Sequence, residues 1–376
     1  VSWAGGLAPA LSAGWNVANT GAVASGLAHA YGVSLAVVGL FTTGLFVTHA
    51  LLQVPAGRLC DRLGARAVGA AGLATTAAGS LAALAWREAG FAIGMRALAG
   101  VGTGLSFVAG SDYVRRTIGT PVAQGVYGAG SMAGGGVALA LVPQWGSWQA
   151  PFASAAILAG AGALVLAAAP PERPRTTEPR RAGPIADRRL LPLAAMHSAS
   201  FGLSVVLGNW VVTLLERAGD SRTAAGLVGS LVLVLGIVTR PLGGHAYGRR
   251  GLLRASFLVG AAGVALLAVA TPLPLAVAGA VLVGLAGGIP FAPSFAGAAE
   301  VRPDAPGAAI GFVNMAAAVT ILAATPLVGL GFSLPGDGRA GFAAAAALWA
   351  LAALAVDRAR ARAGSEFPIS DPGDAL

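Results

Sequence analysis

The chain has 376 residues, 56% of them hydrophobic and only 10% charged, with a mean hydropathy of +0.75. Typical soluble domains are about one quarter charged, so this composition excludes an ordinary water-soluble protein and places the chain in a bilayer. Its net charge of +9 contains no lysine, because all 24 basic residues are arginine.

Crossing roughly 30 Å of hydrocarbon takes about 20 apolar residues per helix. Twelve such runs are expected, at 3–27, 34–56, 66–86, 90–111, 121–143, 148–169, 190–215, 222–242, 251–270, 274–296, 306–331 and 339–356. Strands of a membrane barrel would alternate polar and apolar residues over about ten positions, whereas these tracts are apolar all round. The predicted fold class is therefore all-α and polytopic, with twelve transmembrane helices in two pseudo-symmetric six-helix bundles.

The arginines are not spread evenly. Nineteen of the 24 fall in or beside the loops after the even-numbered runs; Arg87, Arg217, Arg222 and Arg339 fall on the other side, and Arg96 lies within a run. This is the positive-inside pattern. It predicts a multi-pass protein of the cytoplasmic (plasma) membrane with both termini in the cytoplasm, and it gives the positive charge a role other than nucleic-acid binding. Cys60, the single cysteine, permits no internal disulfide and offers no metal cluster.

The longest polar stretch, 170–189, is rich in Pro and Arg and reads as a cytoplasmic linker. It separates an N-terminal bundle, 1–169, from a C-terminal bundle, 190–357, with a cytoplasmic tail over 358–376. The halves echo one another, as in transporters built from structural repeats. QVPAGRLCDRLGAR, from Gln53 to Arg66, is matched by RPLGGHAYGRRGLL, from Arg240 to Leu253. Gly57 aligns with Gly244, Arg62 with Arg249 and Gly64 with Gly251, while Arg240 stands opposite Gln53 and Gly248 opposite Asp61. In the fourth and tenth runs Gly100 and Gly104 answer to Gly284 and Gly288. In the fifth and eleventh, Ser131 precedes Pro143 by the same interval, twelve residues, as Asn314 precedes Pro326.

With these residues in place, the chain resembles the major facilitator superfamily along essentially its whole length. The loop signature G-x-x-x-D-R-x-G-x-R is met by Gly57, Asp61, Arg62, Gly64 and Arg66, and R-x-x-x-G-x-G-x-G by Arg96, Gly100, Gly102 and Gly104. The resemblance implies two six-helix bundles around a central cavity, alternating access by rocking, and a gating role for the loop. In that role Asp61 is expected against a helix N-terminus, where the macrodipole favours it, with Arg62 and Arg66 paired to carboxylates such as Asp112. The alternative, that these charges only set topology, stays open here. YGAGSMAGGG, from Tyr127 to Gly136, resembles the fifth helix of nitrate/nitrite porters and cyanate permeases, with Ser131 where the porters usually carry Asn. Arg240 resembles one of their two nitrate-clamping arginines. Gln53 takes the place of the other, which argues against a plain nitrate porter.

Two arginines lie at membrane depth with no acidic residue in the middle of any run. An Arg within a span costs roughly 2.5–3.5 kcal/mol on insertion scales and normally faces the bundle interior. Arg96 and Arg240 are thus candidate anchors for an anionic substrate, able to make bidentate hydrogen bonds; each also has a plain reading, Arg96 as a helix bridge and Arg240 as a snorkelling side chain. His49 and Gln53 share a helix face, and His197 is a further titratable candidate. By the superfamily arrangement Asn16, Tyr127, Ser131, Asn209, Trp210 and Asn314 line or flank the cavity. Pro290 and Pro293 are expected to kink the tenth helix.

No metalloprotease, nucleophile-elbow or Walker motif occurs, so no enzyme and no cofactor are expected. The expectation is a monomeric secondary transporter of a small organic or inorganic anion, with the lipid bilayer as its other partner. The alternative is an exporter of apolar or cationic small molecules, with Arg96 only structural. A membrane receptor or scaffold would need an added soluble module, and the sequence shows none.

Overall fold

The computed structural model describes residues 2–33, 35–173, 187–269, 272–332, 335–336 and 338–361. The middle of the expected linker, 174–186, and most of the expected tail, 362–376, lie outside the described residues. Among the described residues the chain is helical and carries no strand. Hydrocarbon demands this, because each backbone N–H and C=O there must find its partner within its own segment.

The first half contains α1 (Ser2–Ala18), α2 (Ala24–Tyr31), α3 (Leu35–Leu63), α4 (Ala65–Ala82), α5 (Ala89–Thr117), α6 (Pro121–Leu141) and α7 (Ala150–Ala168). The second contains α8 (Leu190–His197), α9 (Leu203–Arg217), α10 (Arg222–Val234), α11 (Gly236–Gly243), α12 (Arg250–Val269), α13 (Leu273–Gly288), α14 (Phe291–Val301), α15 (Pro306–Gly331) and α16 (Arg339–Ala361). Nine segments among the described residues are long and apolar enough to cross a membrane. The other expected spans, 3–27, 66–86 and 121–143, are also helical, as α1 with α2, α4 and α6.

Four expected spans are not single rods. The first breaks after Ala18, where Asn19 turns its Nδ2 to the Pro151 carbonyl at 2.8 Å. The seventh contains a π-helical turn, Ser198–Gly202, directly after His197; such turns are frequent at functional sites. The eighth breaks at Leu235, and the tenth at Ile289 and Pro290. Pro290 has no N–H for the ladder, and its ring crowds the preceding turn. Other helices outrun their expected ends. The second span, α3, continues to Leu63, α5 to Thr117 and α16 to Ala361, which takes the first residues of the expected tail into a helix. Arg58, Arg62, Arg115 and Arg116 fall in these extensions, and arginine suits such places because its long stem can lie on apolar surface while the charge reaches the interface.

Helix starts are held by side chains where the loops are polar. Glu88 caps α5, accepting from Gly90 N at 2.8 Å and Phe91 N at 2.5 Å, and these bonds hold its exposed carboxyl below the ordinary range. A depressed carboxylate contributes its cap above the unfolded value, near about 4.3 for glutamate, and loses it as pH falls through the lowered one. Thr120 caps α6 through Ala123 N at 3.2 Å.

Small residues set the helix spacing, as expected where lipid supplies no hydrophobic drive between helices. Gly100 and Gly104 face α3 at Leu45 and His49, while Gly102 faces α4 at Thr76. The echo in α13 does the same work: Gly284 lies against Leu231 of α10, and Gly288 against Thr239 of α11. At the start of the chain Gly5 sits by Ala169 and Gly6 by Val114, so the N-terminus lies beside the ends of α7 and α5. Asp357 near the end of α16 pairs with Arg254 at 2.5 Å, close to the start of α12. Both ends of the described chain therefore meet the arginine-rich loops.

Candidate functional site

The two halves meet along a seam between α3 and α15 and another between α6 and α11. In the first, a Cβ on Gly57 would overlap the Gly307 carbonyl and the Ala308 backbone, and one on Gly311 would overlap the Gln53 carbonyl. In the second, a Cβ on Gly244 would overlap Val122, and one on Gly125 the Arg240 carbonyl. Both seams close the arginine-rich end. They also correct the expected echo between the fifth and eleventh helices: Gly125 and Gly311 occupy matching places, so Asn314 answers to Gly128, one turn from Ser131.

Asp61 lies at the mouth of the first seam, 8% exposed. Its Oδ1 accepts from Gly307 N at 3.3 Å and its Oδ2 from Ala308 N at 3.4 Å, in the first turn of α15. Ala305, just before Pro306, has no side chain able to cap that helix. The acid from α3 supplies the acceptor and meets the positive end of the dipole. The mirror helix α6 has Thr120 as its own cap, which explains how Gly248 can stand where Asp61 does.

The arginine pairing differs from the sequence expectation. Asp112 is held by Arg115 at 2.6 Å and Arg116 at 3.7 Å, one turn along its own helix. Arg66 turns instead to the end of α7 and the start of the linker, its Nη1 donating to Ala169 O at 2.8 Å and its backbone N to Glu172 Oε1 at 3.3 Å. Gly64, at φ 92°, makes the turn that brings Arg66 there. Arg62 is exposed.

Deeper in the seams lies a connected polar and aromatic centre. Arg240 of α11 is 3% exposed. Its Nη1 donates to Gly128 O at 2.8 Å and Ser131 Oγ at 3.0 Å, both on α6 of the other half. The guanidinium carbon stands 4.4 Å from the Phe291 ring centroid and 4.9 Å from that of Phe201. Its Nε and Nη2 have no hydrogen-bond partner among the described residues, and no carboxylate there pairs with it.

His197 packs into the same aromatic wall. Its ring stacks on Phe201 at 5.3 Å and touches Phe295 at 4.9 Å and Phe291 at 5.5 Å. His197 Nε2 lies 3.2 Å from Asn314 Oδ1, and its Nδ1 has no partner among the described residues. Asn314 Nδ2 donates to Gln53 Oε1 at 2.8 Å across the first seam, and Gln53 Nε2 donates to His49 O at 2.9 Å. His49 Nδ1 meets Thr103 Oγ1 at 3.0 Å. Phe107 fills the space between, 6.1 Å from His49, 5.3 Å from Tyr127 and 6.5 Å from Phe295, and its carbonyl accepts from Tyr127 OH at 2.5 Å. Seven of the candidates, Arg240, Ser131, His197, Asn314, Gln53, His49 and Tyr127, are thereby brought to one place.

The link from His197 through Asn314 to Gln53 joins the halves. Asn314→Leu leaves the His197 N–H and the Gln53 carbonyl unpaired, each orphan costing about 1–3 kcal/mol. A lower thermal midpoint in a detergent melt is the expected result; an unchanged midpoint would show that the link carries no stability.

The remaining candidates lie elsewhere. Arg96, 1% exposed, gives its Nε to Phe41 O at 3.3 Å, Nη1 to Asn16 Oδ1 at 3.1 Å and Nη2 to Asn16 O at 2.6 Å. It ties α1, α3 and α5 together inside the first half, about 10 Å along α5 from Thr103. Trp210 donates to Thr325 O at 2.9 Å and packs on Phe332 at 5.3 Å, about 20 Å along its rod from His197. The Asn209 side chain lies outside the described residues. Sequence reasoning did not single out Phe107, Phe201, Phe291 or Phe295. The signal was the one-turn spacing of His197 with Phe201 and of Phe291 with Phe295, which puts each pair on one helix face.

Comparison with known proteins bears on this arrangement. The sequence profile described as Major Facilitator Superfamily matches residues 10–245. By sequence, no curated protein matches the chain. Among solved structures, a human organic anion transporter is similar with 17% identity and a TM-score of 0.69, covering 94% of this chain and 97% of that one. A proton:xylose symporter bound to a bromodeoxyglucose is similar with 14% identity and a TM-score of 0.76, covering 94% of each chain. The E. coli fucose:proton symporter is similar with 13% identity and a TM-score of 0.72, covering 94% and 97%. At these identities the likeness is one of fold.

Proposed function

The chain belongs to the major facilitator superfamily, and from that premise we propose that it is a secondary transporter of a small organic anion working by alternating access. The observation that carries the reading is Arg240, buried where the halves meet, with two guanidinium nitrogens unpartnered and no carboxylate beside it among the described residues. A buried charge left unneutralised is costly, and a matched anion offsets that cost. A carboxylate takes both free nitrogens in the fork geometry that guanidinium favours, while the Nδ1 lone pair of His197, whose Nε2–H is given to Asn314 Oδ1, accepts from a hydroxyl or amide elsewhere on the substrate. The rings of Phe107, Phe201, Phe291 and Phe295 suit an apolar body attached to the anionic group.

In each cycle the substrate crosses as the halves rock, which requires the Asp61 contacts to α15, the Asn314–Gln53 bond and the α6–α11 contacts to part and re-form. The state described here is shut at the arginine-rich end, which the positive-inside rule assigns to the cytoplasm of the plasma membrane, with both termini there. One chain supplies both walls of the site, so a monomer is sufficient.

Uptake of labelled carboxylates, neutral aromatics and organic cations into proteoliposomes tests the reading. Transport of carboxylates, with competition among them, is expected. Transport of neutral aromatic compounds untouched by competing anions would favour the exporter reading, to which the phenylalanine wall lends itself. Cations are disfavoured by Arg240.

Arg96 takes a structural role in this account. Arg96→Ala removes three hydrogen bonds from buried acceptors and is expected to lower the thermal midpoint, while anion affinity of the folded fraction stays within about twofold of wild type. A large loss of affinity without loss of stability would return Arg96 to the binding site.

A further inference from the structure

Away from the seams, an open groove of about 920 Å³ lies among α8, α9, α15 and α16. Arg188 and Arg358 stand at its arginine-rich end, and Leu191, Ala195, Leu203 and Leu351 line its length. Leu191 and Leu351 are each more than half exposed, on a surface that faces hydrocarbon. From Arg188 to Leu203 the rod rises about 22 Å. One leaflet, taken as half of the roughly 40–45 Å that includes the headgroups, has the same depth. The groove thus reaches from headgroup level to the bilayer midplane.

The charge at its mouth is uncompensated. Asp187 and Asp357 adjoin the two arginines in sequence, but Asp187 is taken by Arg189 at 2.9 Å and Asp357 by Arg254 at 2.5 Å. Neither Arg188 nor Arg358 has an acidic partner among the described residues. We propose that this groove is a binding site for one anionic phospholipid of the arginine-rich leaflet, its phosphate between Arg188 and Arg358 and an acyl chain along α8 and α9. Snorkelling arginines alone would hold lipid weakly and without a seat for the chain; here two charges and an apolar channel of leaflet length are aligned.

The test is native mass spectrometry of the purified full chain after reconstitution in equimolar phosphatidylglycerol and phosphatidylcholine. Wild-type protein is expected to retain one phosphatidylglycerol with a preference on the order of tenfold, since each arginine near the surface contributes attraction to anionic lipid. Arg188→Ala with Arg358→Ala should bring the two lipids to parity, Arg188→Lys with Arg358→Lys should keep the preference, and Arg249→Ala with Arg250→Ala, outside the groove, should leave it unchanged. Leu351→Trp, which fills the channel and keeps both charges, should also abolish retention. Excess glycerol phosphate should not displace the lipid; if it does, a headgroup site without a chain seat replaces the proposal. Equal retention of both lipids by wild-type protein, or a preference that survives loss of both arginines, overturns it.

Discussion

Gly57→Val is expected to abolish transport by holding the arginine-rich end of the protein open. Gly57 touches the first turn of α15 so closely that a Cβ would overlap the Gly307 carbonyl and the Ala308 backbone. These are backbone atoms of a helix N-terminus and cannot rotate away. Separation of α3 from α15 also carries Gly307 N and Ala308 N beyond the 3.3 and 3.4 Å at which they now meet Asp61. Overpacking costs about 1–3 kcal/mol, and hydrogen bonds to a charged acceptor add about 1.5–3 kcal/mol. Alternating states differ by only a few kcal/mol, so the sum is enough to empty the closed state. Uptake should fall at least about a hundredfold, in protein that is still folded. With spin labels at Arg62→Cys and Pro303→Cys on a Cys60→Ser background, the distance distribution should shift to longer values. A variant with wild-type distances and uptake would remove the seam from the gating mechanism.

Arg240→Ala is expected to reduce carboxylate uptake by at least about thirtyfold, the lower end of what loss of one partner in a buried charge pair costs. The substitution also leaves Gly128 O and Ser131 Oγ short of a donor and empties the space between Phe201 and Phe291. Arg240→Lys separates charge from packing. Lysine restores the charge but not the planar fork or its stacking, so its initial uptake rate per incorporated protein should lie between alanine and wild type. Equal loss in both variants, with equal loss of thermal stability, would mark Arg240 as a structural bridge between α6 and α11.

The helices were legible because hydrocarbon leaves the backbone few choices, and runs such as 251–270 and 306–331 are apolar on every face. Breaks were legible only where the chemistry is local, as at Pro290. The π-helical turn after His197 and the break at Leu235 interrupt runs whose apolar spacing is continuous, so the spacing did not announce them. The same division holds for the centre. The repeat comparison set Arg240 apart from its counterpart Gln53, and both side chains occupy the seams. What the sequence could not supply was the partner of each polar group. Arg66 reaches Ala169 at the end of α7 and Glu172 at the start of the linker, both about a hundred residues away in sequence, and Asp112 is satisfied within its own helix, so like-for-like matching of charges misassigned them. For Arg96 the sequence left both an anion anchor and a helix bridge open; its partners are the carbonyl of Phe41 and the amide and carbonyl of Asn16, which composition does not reveal.

The central claim, that Arg240 binds the anionic group of the substrate, is tested most directly by titrating purified wild-type and Arg240→Ala protein with a transported carboxylate and its neutral amide. The account predicts that the wild type prefers the carboxylate by at least about thirtyfold and that the folded fraction of Arg240→Ala protein loses this preference. Equal Kd values for acid and amide in the wild type, or an undiminished preference in Arg240→Ala, would contradict it.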